Sequence, residues 1–408
     1  MFEWVIILFL GSGLLYGLQS RRLQRSNISS PMMMALAGAL IAVPLGIWHE
    51  APLTPFANRI PFATSFSEMT LAIILFLDAA VLDYRKERPA IRLANRLLLI
   101  GLPLTIGVTW AFIIGLHPSV GVLPALILAL IVSPTDAALG RPVMENTAVP
   151  DPVRQGINIE SGLNDGLVLP VFTAVVLLEA DLVGESSNNW LTEAAIEISV
   201  GAGVGLLAGY VIGQIVNHAV TTNTIIDRFE RLLGVLAALF IFFLSEKLGG
   251  NGFVAAFAGG LALNISSEQV RETIESFGEA ESELLTMLTF FIFGLVVIPA
   301  VYQLWTWEML IFSIVSLAIL RPLCVWLCMI GSPYSLAEKL YIGWFGPRGI
   351  ASVIYLLIMI TMIDPRGYES LIAAAVMIVA ISVTAHGLSA APLSNMLVRH
   401  LAKKGARF

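Results

Sequence analysis

Residues 123–144 read LPALILALIVSPTDAALGRPVM. The run is long enough to cross a bilayer, yet Ser133, Pro134, Thr135 and Asp136 lie near its middle. Proline removes a backbone donor and clashes with the preceding turn. A carboxylate at the bilayer centre costs roughly 2.5–3.5 kcal/mol on insertion scales. Keeping both together predicts a built site. The break at Pro134 strips partners from the last carbonyls of the first half. It starts the second half near Thr135, with free N–H groups and a positive dipole end. Asp136 stands where it can neutralise that end, and the Ser133–Thr135 carbonyls are candidate oxygen ligands.

The bulk composition supports a bilayer around this run. Of 408 residues, 57% are hydrophobic and only 13% charged, with a mean hydropathy of +0.85. Soluble domains average about 25% charged residues, so this chain has too few charges to wet the surface of a soluble protein. The expected class is an all-α polytopic membrane protein. Thirteen apolar segments are long enough to be spanning candidates: 2–18, 31–48, 67–83, 95–115, 120–144, 153–179, 193–217, 231–247, 251–265, 284–303, 307–330, 337–360 and 370–397. Only KLGGNG (247–252) divides the eighth from the ninth. The start, MFEWVIILFLGSGLLYGLQSRRLQRS, has an acid before its apolar run and arginines after it, the reverse of a signal peptide.

Charge placement orients the chain. With the N-terminus outside, the cytoplasmic linkers, the segment ends adjoining them and the C-terminal tail hold 18 of the 23 Lys and Arg residues. The outer linkers hold three: Arg59, Lys247 and Arg366. This is a positive-inside bias, and it puts the C-terminus in the cytoplasm. Arg321 and Arg348 fall within segments. The longest polar insert, SSEQVRETIESFGEAESEL (266–284), is expected to form a connecting helix at the cytoplasmic interface. No attached soluble domain is expected. In the seventh segment Gly201, Gly205, Gly209 and Gly213 repeat every four residues, a stripe for close helix packing. Cys324 and Cys328 share a helix face as buried thiols, with no metal spacing.

Two further polar patches lie at mid-depth. The sixth segment carries ESGLNDG, residues 160–166. On a helix Glu160, Ser161, Asn164 and Asp165 form one broad stripe, and such stripes face a bundle interior or water. The twelfth segment carries GPRGIAS, residues 346–352, another Pro/Gly break, this time around the cation Arg348. If segments one to six and eight to thirteen are inverted repeats, the breaks in five and twelve correspond. Paired interrupted helices point to a transporter's site. The candidate ligands are oxygens from Asp165, Asp136, Glu160, Ser161 and freed carbonyls such as that of Thr135, and hard oxygens suit small hard cations. Carboxylates also bind protons. One site holding either species, with alternating access, gives exchange without a separate coupling device. Asn164 beside a single Asp165 favours one proton per cation.

SPTDAA (133–138), ESGLNDG, NGFVAAFAGGLALN (251–264) and GPRGIAS, in this order and spacing, resemble the cation/proton antiporter superfamily. The Asn-Asp pair is similar to its NhaP/NHE-type sodium/proton branch. The resemblance implies crossed discontinuous helices five and twelve. It implies a core including 67–180 and 284–397, a dimerisation part including 1–48 and 193–265, elevator-like movement and a homodimer in the plasma membrane. By the same resemblance Asp165 binds ion and proton beside Asn164. Asp136 and the Thr135 carbonyl belong to the unwound Thr-Asp motif, Ser161 and Glu160 to the helix-six motif, and Arg348 stabilises the core. The sequence has TDAA where many relatives have Thr-Asp-Pro, so the break must rely on Pro134.

The expected function is electroneutral exchange of Na+ or Li+ for H+, with no resident cofactor, no enzymatic activity and no nucleic-acid partner. Potassium/proton exchange on the same fold is the nearest alternative. An ion channel and an intramembrane aspartyl protease using Asp136 and Asp165 are remote ones, since neither a pore-filter repeat nor the protease motifs occur. Asp78, in LFLDAAVLD (75–83), is expected to pair with Arg348 or Arg321. His49, His117, His218, His386 and His400 lie outside the motifs.

Overall fold

Each of the thirteen apolar segments is helical in the computed structural model, which describes residues 2–81, 88–144, 146–184, 190–266 and 268–403. The helices are α1 Phe2–Arg25, α2 Ser30–Ala42, α3 Thr54–Val81, α4 Arg88–Leu116, α5 Val122–Ile131, α6 Ala137–Met144, α7 Asp151–Leu182, α8 Trp190–Thr221, α9 Asp227–Lys247, α10 Gly252–Ser266 and α11 Glu268–Ile292. They continue with α12 Trp307–Cys328, α13 Leu336–Trp344, α14 Ile350–Met362 and α15 Glu369–Lys403. Segments five and twelve are each two helices, α5/α6 and α13/α14. Among the described residues, seven helices are long and apolar enough to cross a membrane by length and composition. Large apolar side chains such as Leu14, Leu18, Leu207 and Ile215 are exposed on the outer faces, as a bilayer-embedded chain requires. Of the cations read as cytoplasmic, Arg85, Lys86, Lys404 and Arg407 lie outside the described residues, as do the last two residues of the third segment.

The polar insert 266–284 is helical from Glu268, as expected of a connecting helix, and runs unbroken into the tenth segment as α11. The sequence explains this: between residues 268 and 292 there is no proline and a single glycine, Gly278.

Among the described residues there are three π turns: Leu97–Gly101 in α4, Phe293–Val297 directly after α11 and Ser316–Leu320 in α12. Each is followed, two residues past its end, by a proline: Pro103, Pro299 and Pro322. A proline ring crowds the carbonyl four residues back and offers it no N–H. A widened turn relieves that clash without breaking the helix.

The chain divides into two compact units: residues 1–64, 87–161 and 286–408, and residues 65–86 with 162–285. In the first, α2 packs closely on the π turn that follows α11. Gly38 lies against the Phe291 backbone, and Gly294 against that of Ala35. Ile157, Val325, Tyr341, Phe345 and Leu397 are buried in a single apolar cluster. Arg96 closes the C-terminus of α12 by donating to the carbonyls of Cys328 and Ile330.

In the second unit the glycine stripe of α8 packs on α10, with Gly201, Gly205 and Gly209 against Asn251, Ala255 and Gly259. Lipid offers no hydrophobic drive for helix pairing, so small residues that let backbones approach carry the contact. The start of α10 is capped by two side chains. Asn251 Oδ1 accepts from the Phe253 and Val254 amides at 3.1 Å, and Glu246 Oε1 from Gly252 at 2.8 Å.

Candidate functional site

The two interrupted segments meet at their breaks. Between α5 and α6 the backbone of 132–136 is non-helical, as is that of 345–349 between α13 and α14. The second half of segment five therefore starts at Ala137, two residues later than the Thr135 expected. The Asp136 amide donates to the Pro347 carbonyl at 2.8 Å, joining the two unwound stretches. The Asp136 carboxylate then serves both following helices. Oδ2 accepts from the Ile350 amide, the first of α14, at 2.6 Å, and Oδ1 from the Leu139 amide in the first turn of α6 at 3.2 Å. One negative charge thus sits on two positive helix ends. Arg348 does the converse, donating through Nη1 to the carbonyls of Ser133 and, at 3.2 Å, Pro134, past the end of α5.

The two glycines of GPRG let the charged side chains come this close. A Cβ on Gly349 would run into the Asp136 carboxylate, and one on Gly346 into the Arg321 guanidinium. Gly349→Ala must push Asp136 off its amides, and we expect a loss of about 1–3 kcal/mol of stability, the usual range for overpacking. Gly107→Ala, where an added methyl meets nothing within 4 Å, is the control. Thermal unfolding in detergent checks this: Gly349→Ala melts lower and Gly107→Ala does not.

Beside the crossing lies a buried ion pair. Arg321 Nη2 is 3.2 Å from Glu160 Oε2, and the two residues are 3% and 2% exposed. Thr135 Oγ1 donates to Glu160 Oε2 at 3.2 Å and lies 3.0 Å from Ser161 Oγ. Desolvating two ions costs several kcal/mol each, which an interior pair recovers only when further hydrogen bonds satisfy it. Thr135 supplies one. Arg321 follows directly on the π turn Ser316–Leu320, a local change of helical register of the kind that accompanies functional sites.

Thr135, Asp136, Glu160, Ser161, Arg321 and Arg348 are therefore gathered in the first unit. Asn164 and Asp165 are buried on α7 one helical turn beyond Glu160 and Ser161. They belong to the second unit, where α7 packs on α10 with Gly166 against the Phe257 ring. Asp78 is in that unit too. A Cβ built on Gly162 would lie 3.6 Å from the Asp78 Cβ, so Asp78 adjoins the polar stretch of α7. The sequence reading named Asp78 as a partner for Arg321 or Arg348. In the structure Arg321 faces Glu160, and Arg348 faces backbone carbonyls. Sequence reasoning set His386 of α15 outside the motifs and did not single out Ser382. Ser382 Oγ accepts from the Arg348 amide at 2.6 Å. Nothing in the local sequence marks either residue, because both are placed by helix packing.

The crossing is a polar island within apolar helices, in which Asp136 and Glu160 balance Arg321 and Arg348 beside freed backbone carbonyls. The family described as "Sodium/hydrogen exchanger, transmembrane" matches residues 5–396. The chain is 26% identical over 337 residues to the K+/H+ antiporter NhaP2 of Shewanella sp. (strain ANA-3), covering 81% of this chain and 57% of that one. It is 24% identical over 278 residues to a Na+/H+ antiporter of Schizosaccharomyces pombe, covering 64% of this chain and 59% of that one. The chain thus spans less than two thirds of the length of these relatives. Its structure is similar to that of the sodium proton antiporter MjNhaP1 from Methanocaldococcus jannaschii. The TM-score is 0.77 at 20% identity over 97% of this chain and 98% of the other, a likeness of fold.

Proposed function

Because the chain belongs to the transmembrane sodium/hydrogen exchanger family, we propose that it is a monovalent cation/proton antiporter exchanging Na+ or Li+ for H+ across the membrane. The observation that carries this reading is the pair of breaks at which Asp136 and Arg348 neutralise opposite helix ends. Building such a crossing inside apolar helices is costly, and a merely structural bundle does not need it. It brings unwound backbone and hydroxyl oxygens beside Glu160 and Ser161 of α7.

Within this reading Asp136 and Glu160 are fixed countercharges, the first on two helix N-termini and the second on Arg321. The exchanging carboxylate is Asp165, buried on α7 in the Asn-Asp pair. Ser161 and the Thr135 carbonyl are its companions as oxygen ligands, and Asn164 is its neighbour in the Asn-Asp pair. The cation and the proton compete for Asp165, and alternating access turns that competition into exchange. Residues 67–180 and 284–397 form the ion-carrying core in an elevator-like movement. Residues 1–48 and 193–265 form the scaffold of a homodimer. The family resemblance supports a place in the plasma membrane, and the 18 to three distribution of positive charge supports an N-terminus outside and a C-terminus in the cytoplasm.

A single titrating aspartate beside Asn164 makes the exchange one proton for one cation, hence electroneutral. Asn164→Asp adds a second carboxylate, and we expect its exchange to respond to an imposed membrane voltage where the parent protein's does not. A voltage-clamped proteoliposome assay checks this, and electrical silence in the variant counts against the stoichiometry. Potassium is the second reading for the cation, favoured by the name of the Shewanella relative. Proteoliposomes carrying a pH gradient decide: proton movement on adding Na+ or Li+ but not K+ supports the first reading, the reverse supports the second, and movement with none sinks both.

A further inference from the structure

His386 lies on α15 and is 1% exposed. Its Nε2 is 2.9 Å from the Trp344 carbonyl, the last of α13. A carbonyl only accepts, so Nε2 carries a hydrogen. Its Nδ1 is 3.1 Å from Ser382 Oγ, and that oxygen already accepts from the Arg348 amide at 2.6 Å. The serine hydrogen is therefore available to Nδ1. The bonds run one way: Arg348 N–H to Ser382 Oγ, Ser382 O–H to Nδ1, and Nε2–H to Trp344 O. Nδ1 also lies 2.9 Å from the Ser382 carbonyl, which could take a hydrogen from it only if the ring were doubly protonated, since Trp344 holds the one on Nε2. The neutral ring thus uses both nitrogens, as buried polar groups require.

The two backbone groups tied in this way are Trp344, just before the unwound stretch 345–349, and Arg348, within it. We propose that His386, acting through Ser382, is a positioning residue that braces this stretch from its start to Arg348 and so aims Arg348 at the carbonyls past α5. Its neighbours extend the same seam. Trp344 Nε1 donates to Ser389 Oγ at 2.9 Å, and the Tyr341 hydroxyl lies 2.7 Å from Ser394 Oγ. Those bonds hold α13, which is already helical. Of these contacts from α15, the His386–Ser382 pair is the one that reaches the Arg348 amide itself.

The transport consequence rests on the exchange activity proposed above, so the test has two arms. The first is deuterium uptake over residues 345–350 in purified protein. His386→Leu and Ser382→Ala should both speed it, and unchanged uptake in either folded variant overturns the brace. The second is exchange in proteoliposomes. His386→Leu should lower the maximal rate at least about tenfold while moving the half-saturating cation concentration less than about twofold, the pattern of a lost step and not of lost binding. His386→Gln, whose amide N–H can reach the Trp344 carbonyl, should recover most of the rate. The His386→Leu/Ser382→Ala double variant should be no slower than His386→Leu, because the residues act as one unit. A parental rate in His386→Leu, a Gln variant as slow as Leu, or additive losses overturn the proposal. If His386→Leu does not fold, Ser382→Ala decides alone in both arms. Wild-type protein that exchanges no cation sinks the activity reading and leaves the brace to the deuterium result.

Discussion

Asp165→Asn reduces cation/proton exchange to the level of protein-free liposomes while leaving the protein folded. The amide matches the carboxylate in shape, so packing on α7 changes little. What disappears is the charge that attracts a cation and the group that takes up a proton in its place. Buried carboxylates in membranes are expensive and are kept for such work. Asp165 is 8% exposed on α7, and a neutral amide of the same shape costs less to desolvate than a carboxylate. Exchange assays and thermal unfolding on the same preparation check both halves. Exchange at the parental rate in the variant refutes the assignment. Asp136→Asn differs in kind: it also weakens exchange, but with lower melting, because Asp136 holds the amides of Ile350 and Leu139.

The largest stability effect is expected at the buried pair of Glu160 and Arg321. Replacing Glu160 by Gln leaves a guanidinium in the interior with no countercharge, and breaking a buried pair in this way costs about 3–5 kcal/mol. The pair as a whole is worth far less than that, because desolvation offsets most of the attraction. Glu160→Met combined with Arg321→Met should therefore recover most of the stability lost in Glu160→Gln. Both measurements come from unfolding in detergent at one pH. A Glu160→Gln variant as stable as the parent would show that Arg321 is neutralised elsewhere. A double variant no better than the single one would show that the pair is a net contributor.

Much of this was legible in the chain. Apolar run length marks the spans, and each of the thirteen segments is helical. Both breaks fall where proline and glycine interrupt an apolar run, at Pro134 and at Gly346–Gly349, since those residues act locally on the backbone. The glycine stripe of α8 was also readable, because close packing leaves a four-residue period. Partner choice was not. Arg321 reads as a cation within a bundle, but its pairing with Glu160 depends on how α12 meets α7, across 161 residues of sequence. The π turns escaped as well. Their signature is a proline two residues past each, which looks the same as a proline in any kinked helix. His386 and Ser382 are four apart on an ordinary apolar helix, and only the return of residues 344–348 against them reveals a role.

The most direct measurement is proton release on adding Na+ to the purified protein in weakly buffered detergent solution near the midpoint of its activity. If the cation and the proton share Asp165, each Na+ bound displaces about one proton, the release vanishes in Asp165→Asn, and Na+ affinity weakens about tenfold per pH unit on the acid side. Na+ binding that frees no proton, or release that persists unchanged in Asp165→Asn, contradicts a shared site.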